Sequence, residues 1–318
     1  MKTIIAVDLG GTNCRMGQFS SSDGQLYFDR HNWLDTTALS GAEHFIRELD
    51  KSYPLDRADA LVIAIAGPVE NNIRGKLSNG HLEFDFEKGL GGRELRLGLI
   101  NDFMAQAWAV TGEAGHMARH LAGPSAPLNA TRAVIGAGTG LGQANIALLD
   151  NGQWMPIPSE NAHNCFPFVS PEEVDFHNFV RERKGIPYAT GDELINGAGL
   201  SLLHEFLTSE KLQPREVGER YLGSDTETSR WYSRLYARAC KNWIMATLCR
   251  GGLWIAGGIA AKNPYTVTND YFFEELYNGR QWESLLRSVP LFLIEDHNSG
   301  LWGSAAYGQA LLAKAGLV

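Results

Sequence analysis

Little in this sequence ties it to an oxidising compartment, a membrane or a nucleic acid. Its four cysteines, Cys14, Cys165, Cys240 and Cys249, lie far apart and form no C-x-x-C pair. That spacing gives no zinc or redox motif, and reduced thiols in a cytoplasmic protein are expected. No apolar run is long enough to cross a bilayer. The chain enters an apolar segment at once, without the basic stretch that opens a signal peptide. Positive charge is also short: 28 Lys and Arg stand against 36 Asp and Glu, a formal net charge of −8. Such a surface disfavours nucleic acid as a partner. The nine histidines, His31 and His44 among them, show no metal-ligand spacing. What remains is a folded composition, 44% hydrophobic and 20% charged, over 318 residues. That length suits one large or two ordinary domains.

Glycine, by contrast, is abundant and concentrated. Asp8-Leu9-Gly10-Gly11-Thr12-Asn13 follows the apolar run Ile4–Val7, and Gly136-Ala137-Gly138-Thr139-Gly140-Leu141-Gly142 follows Ala133–Ile135. Both read as strand, tight turn, strand. Glycine lets the backbone reach unusual angles and lets a ligand approach the main chain. Successive N–H groups in such a turn form an anion-binding concavity. The alternative for each is a plain hairpin turn, against which stands the entropy cost of ordering so many glycines. Two such turns, the first with an Asp able to face a metal, suggest a polyphosphate clamped between two halves of the molecule.

The apolar patterning predicts strands at 3–8, 13–19, 25–33, 60–66 and 94–100, with a hairpin turn at Ser20–Gly24. Helices are predicted at 40–52, where Ser40 and Glu43 suggest a capping box, and at 103–112. Residues 123–131 read as a connector. Strands at 132–137, 142–149 and 153–157 follow, then helices at 171–184, 196–208 and 227–249. Strands at 253–256 and 290–294 and a helix at 300–315 complete the chain. The order βββαβ(βα) thus occurs twice. It implies α/β architecture in two domains: a small one at 1–108, with the final helix (300–318) packed back on it, and a large one at 109–299. A ligand-binding cleft between the domains is expected.

Four further segments carry chemistry or a plainer role. Asn101-Asp102 stands where a strand meets a helix, as a cap or as a general base. Glu160 and His163, with Asn161 and Ala162 between them, are a solvated turn or a clamp for vicinal hydroxyls. Asp192-Glu193 opens a helix or binds substrate. Gly257-Gly258 after a buried strand serves an adenine ring or close packing. Trp231, Trp243, Trp254, Trp282 and Trp302 are expected in the core or an interface.

Together these motifs resemble the bacterial glucokinases of the hexokinase/actin/Hsp70 superfamily. Asp8–Arg15 is similar to the family's D-x-G-G-T-N-x-R, Ile100–Phe103 to I-N-D-F, and Gly136–Gly142 to G-A-G-T-G-L-G. Ile255–Ile259 resembles the adenosine segment and His297–Ser304 the final D-N-P-G-L-L-G-S. The resemblance spans nearly the whole chain and implies a two-domain actin-like ATPase (ribonuclease H-like) fold. It implies ATP-dependent phosphorylation of D-glucose at O6, feeding glycolysis. Asp102 would then be the base, with Asn79, Asn101, Glu160, His163 and Asp192 or Glu193 on the sugar. Gly10, Gly11, Thr12, Asn13, Gly136, Gly138, Thr139, Gly140, Gly257 and Gly258 would hold ATP, and Asp8 would orient Mg²⁺ through water. A homodimer is implied, with neither nucleic acid nor membrane as partner. The departures lie at the sugar end. E-G-G-H reads Glu160-Asn161-Ala162-His163, where the two middle side chains could narrow the pocket or add a contact. The usual Glu is the shorter Asp192, and Leu82 replaces an aromatic residue. They leave a kinase for mannose or an amino-sugar, or a non-catalytic sugar-sensing regulator, as alternatives. The zinc-binding cysteines of the related repressor/kinase branch are absent.

Overall fold

The computed structural model describes residues 1–316 apart from Lys88, Gly91 and Leu128. Leu128 of the expected connector, and Leu317 and Val318 of the expected final helix, lie outside the described residues. The chain divides into two compact units, Met1–Met117 together with the segment from Asp296 onward, and Ala118–Glu295.

In the first unit, β1 (Lys2–Leu9), β2 (Asn13–Ser22) and β3 (Gln25–Asp35) form an antiparallel meander. The β2–β3 turn is the two-residue Asp23-Gly24, with φ of 51° and 78°. Left-handed angles at both positions match the twist of the flanking strands, which is why Asp-Gly is favoured there. Helix α1 (Ala42–Ser52) leads to β4 (Ala60–Ile65), which runs parallel to β1. Strands β5 (Val69–Glu70), β6 (Arg74–Lys76) and β7 (Glu83–Asp85) form a small separate sheet that the hydrophobic pattern did not predict. Strand β8 (Arg96–Asn101) closes the main sheet, in order β3-β2-β1-β4-β8, and runs into α2 (Asp102–Ala109) and α3 (Glu113–His116).

The second unit opens with β9 (Arg119–Ala122), also unpredicted, then β10 (Arg132–Ala137), β11 (Leu141–Leu148) and β12 (Trp154–Ser159). Five helices follow: α4 (Pro171–Lys184), α5 (Gly191–Ile195), α6 (Gly197–Thr208), α7 (Pro214–Tyr221) and α8 (Glu227–Thr247). After β13 (Gly252–Ala256) come α9 (Gly258–Lys262), α10 (Asp270–Tyr277), α11 (Glu283–Arg287) and β14 (Leu291–Leu293). The sheet order is β12-β11-β10-β13-β14-β9. Its first five strands repeat the order of the first unit and its directions, two antiparallel pairings and then two parallel ones. The duplication seen weakly in sequence is therefore a duplication of sheet topology.

The last helix, α12 (Ser299–Lys314), belongs to the first unit. Alternation along β1 explains how the sheet is covered on both sides. Ile5, Val7 and Leu9 join a core with Phe45 and Leu49 of α1, whereas Ile4 and Ala6 join one with Leu301, Ala305 and Leu312 of α12. Successive strand residues point to opposite faces, so both faces of β1 must be apolar. The division expected after residue 108 falls inside α2. That helix packs so closely on α12 that a Cβ on Gly303 would stand 1.7 Å from the Ala105 carbonyl oxygen. It therefore stays with the first unit.

One local expectation is corrected. Ser40 does not cap α1: the N-cap is Gly41, with no side-chain bond, while Ser40 Oγ lies 3.2 Å from His44 Nδ1. The imidazole one turn on competes for the hydroxyl that would have made the cap. Trp243 and Trp254 are core residues, but Trp282 is half exposed. It sits in a single short turn before α11.

Candidate active site

Strand register sets the level of the candidate residues in the first unit. Leu9 pairs with Ile65, and Ile65 with Asn101. The C-terminal ends of three parallel strands therefore deliver Gly10-Gly11, Ala66-Gly67 and Asn101-Asp102 to one edge of the sheet. Open α/β sheets present ligand-binding residues at that edge. Gly10 N–H donates to the Asn13 carbonyl at 3.0 Å, which closes the turn, and Thr12 and Asn13 are exposed. Gly11 is required by its neighbour, since a Cβ there would lie 2.7 Å from the Asn79 backbone oxygen. Asn79 itself is exposed beside this turn.

Asn101 caps α2 by accepting from Phe103 N–H at 2.9 Å, and its amide donates to the Gly67 carbonyl at 3.2 Å. The capping role considered from sequence thus belongs to Asn101. Asp102, the first residue of the helix, is half-buried and accepts from the same N–H at 3.0 Å. Its carboxylate thus takes a backbone bond at the helix start.

Asp8 sits at the end of β1 with Arg15 opposite it in β2, the guanidinium Nη1 lying 3.3 Å from Oδ2. Burial raises the Asp8 carboxyl above its usual range, and the charge of Arg15 works against that rise. Arg15 is held in turn by the His297 carbonyl and by the Trp33 ring, 4.5 Å from its centre. The start of α12 closes on the same carboxylate, where a Cβ on Gly300 would meet Asp8 Oδ2 at 2.8 Å. Sequence reading gave Arg15 and Gly300 no role. The signals were an arginine directly across the β-ladder from Asp8 and a Ser-Gly helix start.

In the second unit the turn after β10 spans three residues, Gly138 to Gly140, with Gly138 N–H donating to Gly140 O at 2.8 Å. Thr139 and Gly140 are exposed, and nothing lies within 4 Å of a Cβ built on Gly138, so the backbone is open to a ligand. Gly136 is buried within β10. Gly257 has φ of 87° and touches the Ala137 backbone, while Gly258 next to it is open. The close-packing reading applies to Gly257, and Gly258 leaves open space beside it.

The turn rests on α5 and α6. Gly197 N–H donates to Gly138 O at 3.0 Å, and Leu141 N–H donates to Asp192 Oδ1 at 2.6 Å. Glu193 completes a capping box with Thr190 and lies 3.9 Å from Lys184, so the helix-start reading applies to it. Glu160 and His163 form an exposed pair, Oε2 to Nε2, at 3.4 Å. The two residues between them are engaged by the protein itself. Asn161 donates to Gln143 Oε1 at 3.0 Å, and Ala162 is buried in the core. Their short helical turn aims the outer two side chains at solvent and the inner two at the protein. Leu82 likewise is fully buried in the core of the first unit.

The model of the glucokinase family matches residues 5–311. The chain belongs to the glucokinase family. It is 30% identical to a glucokinase of Tolumonas auensis over 321 residues, covering 96% of each chain. Among solved structures, a glucokinase from an Antarctic psychrotroph superposes with a TM-score of 0.83 at 21% identity, covering 98% of this chain and 99% of the other. A glucokinase from Balamuthia mandrillaris in complex with glucose gives 0.79 at 18%, covering 96% and 93%. The fold is thus the actin-like ATPase fold of the glucokinases.

The residues fit a magnesium nucleotide. In the second unit, nothing lies within 4 Å of a Cβ built on Gly138 or Gly258, so the main chain there is open to a ligand. Among the described residues no group of three or more His, Cys, Asp or Glu is placed to hold a metal. A lone Asp8 suits Mg²⁺, which binds substrate phosphates and takes few protein carboxylates.

Proposed function

We propose that this glucokinase-family chain transfers the γ-phosphoryl group of ATP to O6 of D-glucose, giving glucose 6-phosphate and ADP. The observation that carries this reading is Asp102. It is a half-buried carboxylate held at the start of α2, at the strand edge that also bears the Asp8–Asn13 turn. In the proposed reaction Asp102 takes the proton of the attacking hydroxyl, and Asn101 fixes the helix start that aims it. Asn79, Glu160 and His163 bind sugar hydroxyls. The backbones of Gly10–Asn13 and of Gly136–Gly140 hold phosphates, and Gly257-Gly258 receives the adenosine. Asp8 would hold the cation through water. When bound, Mg²⁺–ATP supplies the phosphoryl group, and its cation offsets the charge on the phosphate oxygens.

The cytoplasmic setting and a homodimer belong to the same proposal and rest on the family resemblance. No helix among the described residues is long and apolar enough to cross a membrane.

A kinase for mannose or an amino-sugar is the second reading. The bond from Leu141 to Asp192 favours it, because it draws one carboxylate expected at the sugar onto the protein backbone.

An ADP-release assay with Mg²⁺–ATP against glucose, mannose, fructose, glucosamine and no sugar tests both readings. Turnover is expected with glucose, and Asp102→Ala is expected to remove at least ~10²-fold of it while the fold persists. Turnover with a different sugar would select the second reading. Near-normal rates in Asp102→Ala would discard the base assignment.

A further inference from the structure

We propose that Asp192 is a positioning residue for the turn Gly136–Gly142 and does not bind the sugar. The proposal rests on the reading of that turn as a phosphate cradle. Three observations carry it. Leu141 N–H donates to Asp192 Oδ1 at 2.6 Å, a charge-assisted bond to the strand residue that ends the turn. The same oxygen would lie 2.9 Å from a Cβ on Gly140, so the carboxylate is seated against the turn at a position where glycine leaves it room. Finally, Asp192 stands on a fixed platform. The Thr190–Glu193 capping box sets the start of α5, and Gly197 at the start of α6 donates to the Gly138 carbonyl.

Side-chain length follows from this geometry. An aspartate on the first turn of α5 reaches the Leu141 N–H directly, whereas the extra methylene of a glutamate would carry the carboxylate past it. The shorter residue therefore has a structural use of its own. Sugar recognition in this unit falls to Glu160 and His163, whose side chains are exposed.

The test uses the intact chain and two variants. Asp192→Ala removes the acceptor. Asp192→Asn keeps an oxygen that can accept from Leu141 while removing the charge. Amide hydrogen exchange at Gly138–Leu141 is read in the ligand-free protein, and AMPPNP with Mg²⁺ and glucose are titrated separately by calorimetry. In Asp192→Ala the turn is expected to exchange about tenfold faster and AMPPNP to bind about tenfold more weakly, with glucose affinity within about twofold of the wild type. Asp192→Asn, which keeps the acceptor without its charge, is expected to fall between the wild type and Asp192→Ala in exchange and AMPPNP affinity, again with glucose affinity within about twofold of the wild type. Unchanged exchange and AMPPNP affinity in Asp192→Ala, with glucose affinity lost in both variants, would overturn the proposal and make Asp192 a sugar ligand. A wild-type chain that binds no AMPPNP would overturn the kinase reading instead. The exchange measurement, made without ligand, still decides whether Asp192 orders the turn.

Discussion

Arg15 holds the carboxylate of Asp8 at 3.3 Å, directly across the β1–β2 ladder. The pair links the first glycine turn to the start of α12, because the same guanidinium donates to the His297 carbonyl. It also lies over the half-exposed Trp33 ring, so its position is set from three sides.

The first prediction concerns that arginine. Arg15→Met removes the cation that works against the burial of Asp8 and frees the start of α12. Turnover is expected to fall at least ~10-fold, with a weaker AMPPNP–Mg²⁺ affinity and an unchanged circular dichroism spectrum. Arg15→Lys keeps the charge but not the planar fork and is expected to fall between the two. Wild-type kinetics in Arg15→Met would show that the contact is incidental.

The second concerns the crossing of α2 and α12. A Cβ on Gly303 would stand 1.7 Å from the Ala105 carbonyl and 3.0 Å from the Ala109 nitrogen. These are backbone atoms that no rotamer change can move, so Gly303→Ala must part the helices. A loss of about 1–3 kcal/mol is expected in urea unfolding. Because Asp102 opens α2, turnover should fall as well. Gly223→Ala, with nothing within 4 Å, is the matched control and should be neutral. Equal stability of the two variants would contradict the close helix approach.

How much of this was legible in the sequence depends on range. The two turns were visible because glycine clusters after apolar runs are local signals, and β1, β10 and α12 were found from periodicity. Asn101-Asp102 was placed, but its division of labour, Asn101 as cap and Asp102 beside it, needed the helix itself. The roles of Asn161, Ala162 and Leu82 were not legible. Whether a side chain faces core or solvent in a short turn depends on partners such as Gln143, distant in sequence. The β5–β7 sheet was missed because its strands are two or three residues long, too short for alternation to register.

The third prediction separates sugar from nucleotide. Glu160 and His163 are exposed and bond chiefly with each other, and exposed pairs contribute little to stability. Glu160→Gln and His163→Ala should therefore leave the unfolding curve unchanged. Each is expected to raise the glucose KM about tenfold, with the ATP KM within twofold. A rise in the ATP KM instead would move the pair out of the sugar site.

The last prediction is a pH dependence of stability, set in the second unit by a network away from the candidate site. Arg238, almost fully buried, binds Glu173 at 2.6 and 2.9 Å and Glu275 at 3.1 and 3.2 Å, and Lys241 reaches Glu275 at 2.8 Å. Burial works to raise the Glu275 carboxyl, but the bonds from Arg238 and Lys241 outweigh it and hold the group below its usual 4.5. A carboxyl with a lower pKa folded than unfolded takes up protons on unfolding. Its stabilisation is complete above about pH 4.5 and is lost as pH falls through the folded value. Glu275→Gln keeps the shape and removes the charge, leaving Arg238 and Lys241 with one fewer counter-ion. At pH 7 it should be less stable than the wild type by about 3 kcal/mol. As pH falls below about 4.5 and on toward the lower folded value, the wild-type carboxyl becomes protonated too, so the difference should shrink progressively with falling pH. Urea unfolding of both proteins between pH 3 and 8 decides the matter. A difference that stays constant with pH would assign the loss to packing around residue 275 and remove its charge from the account.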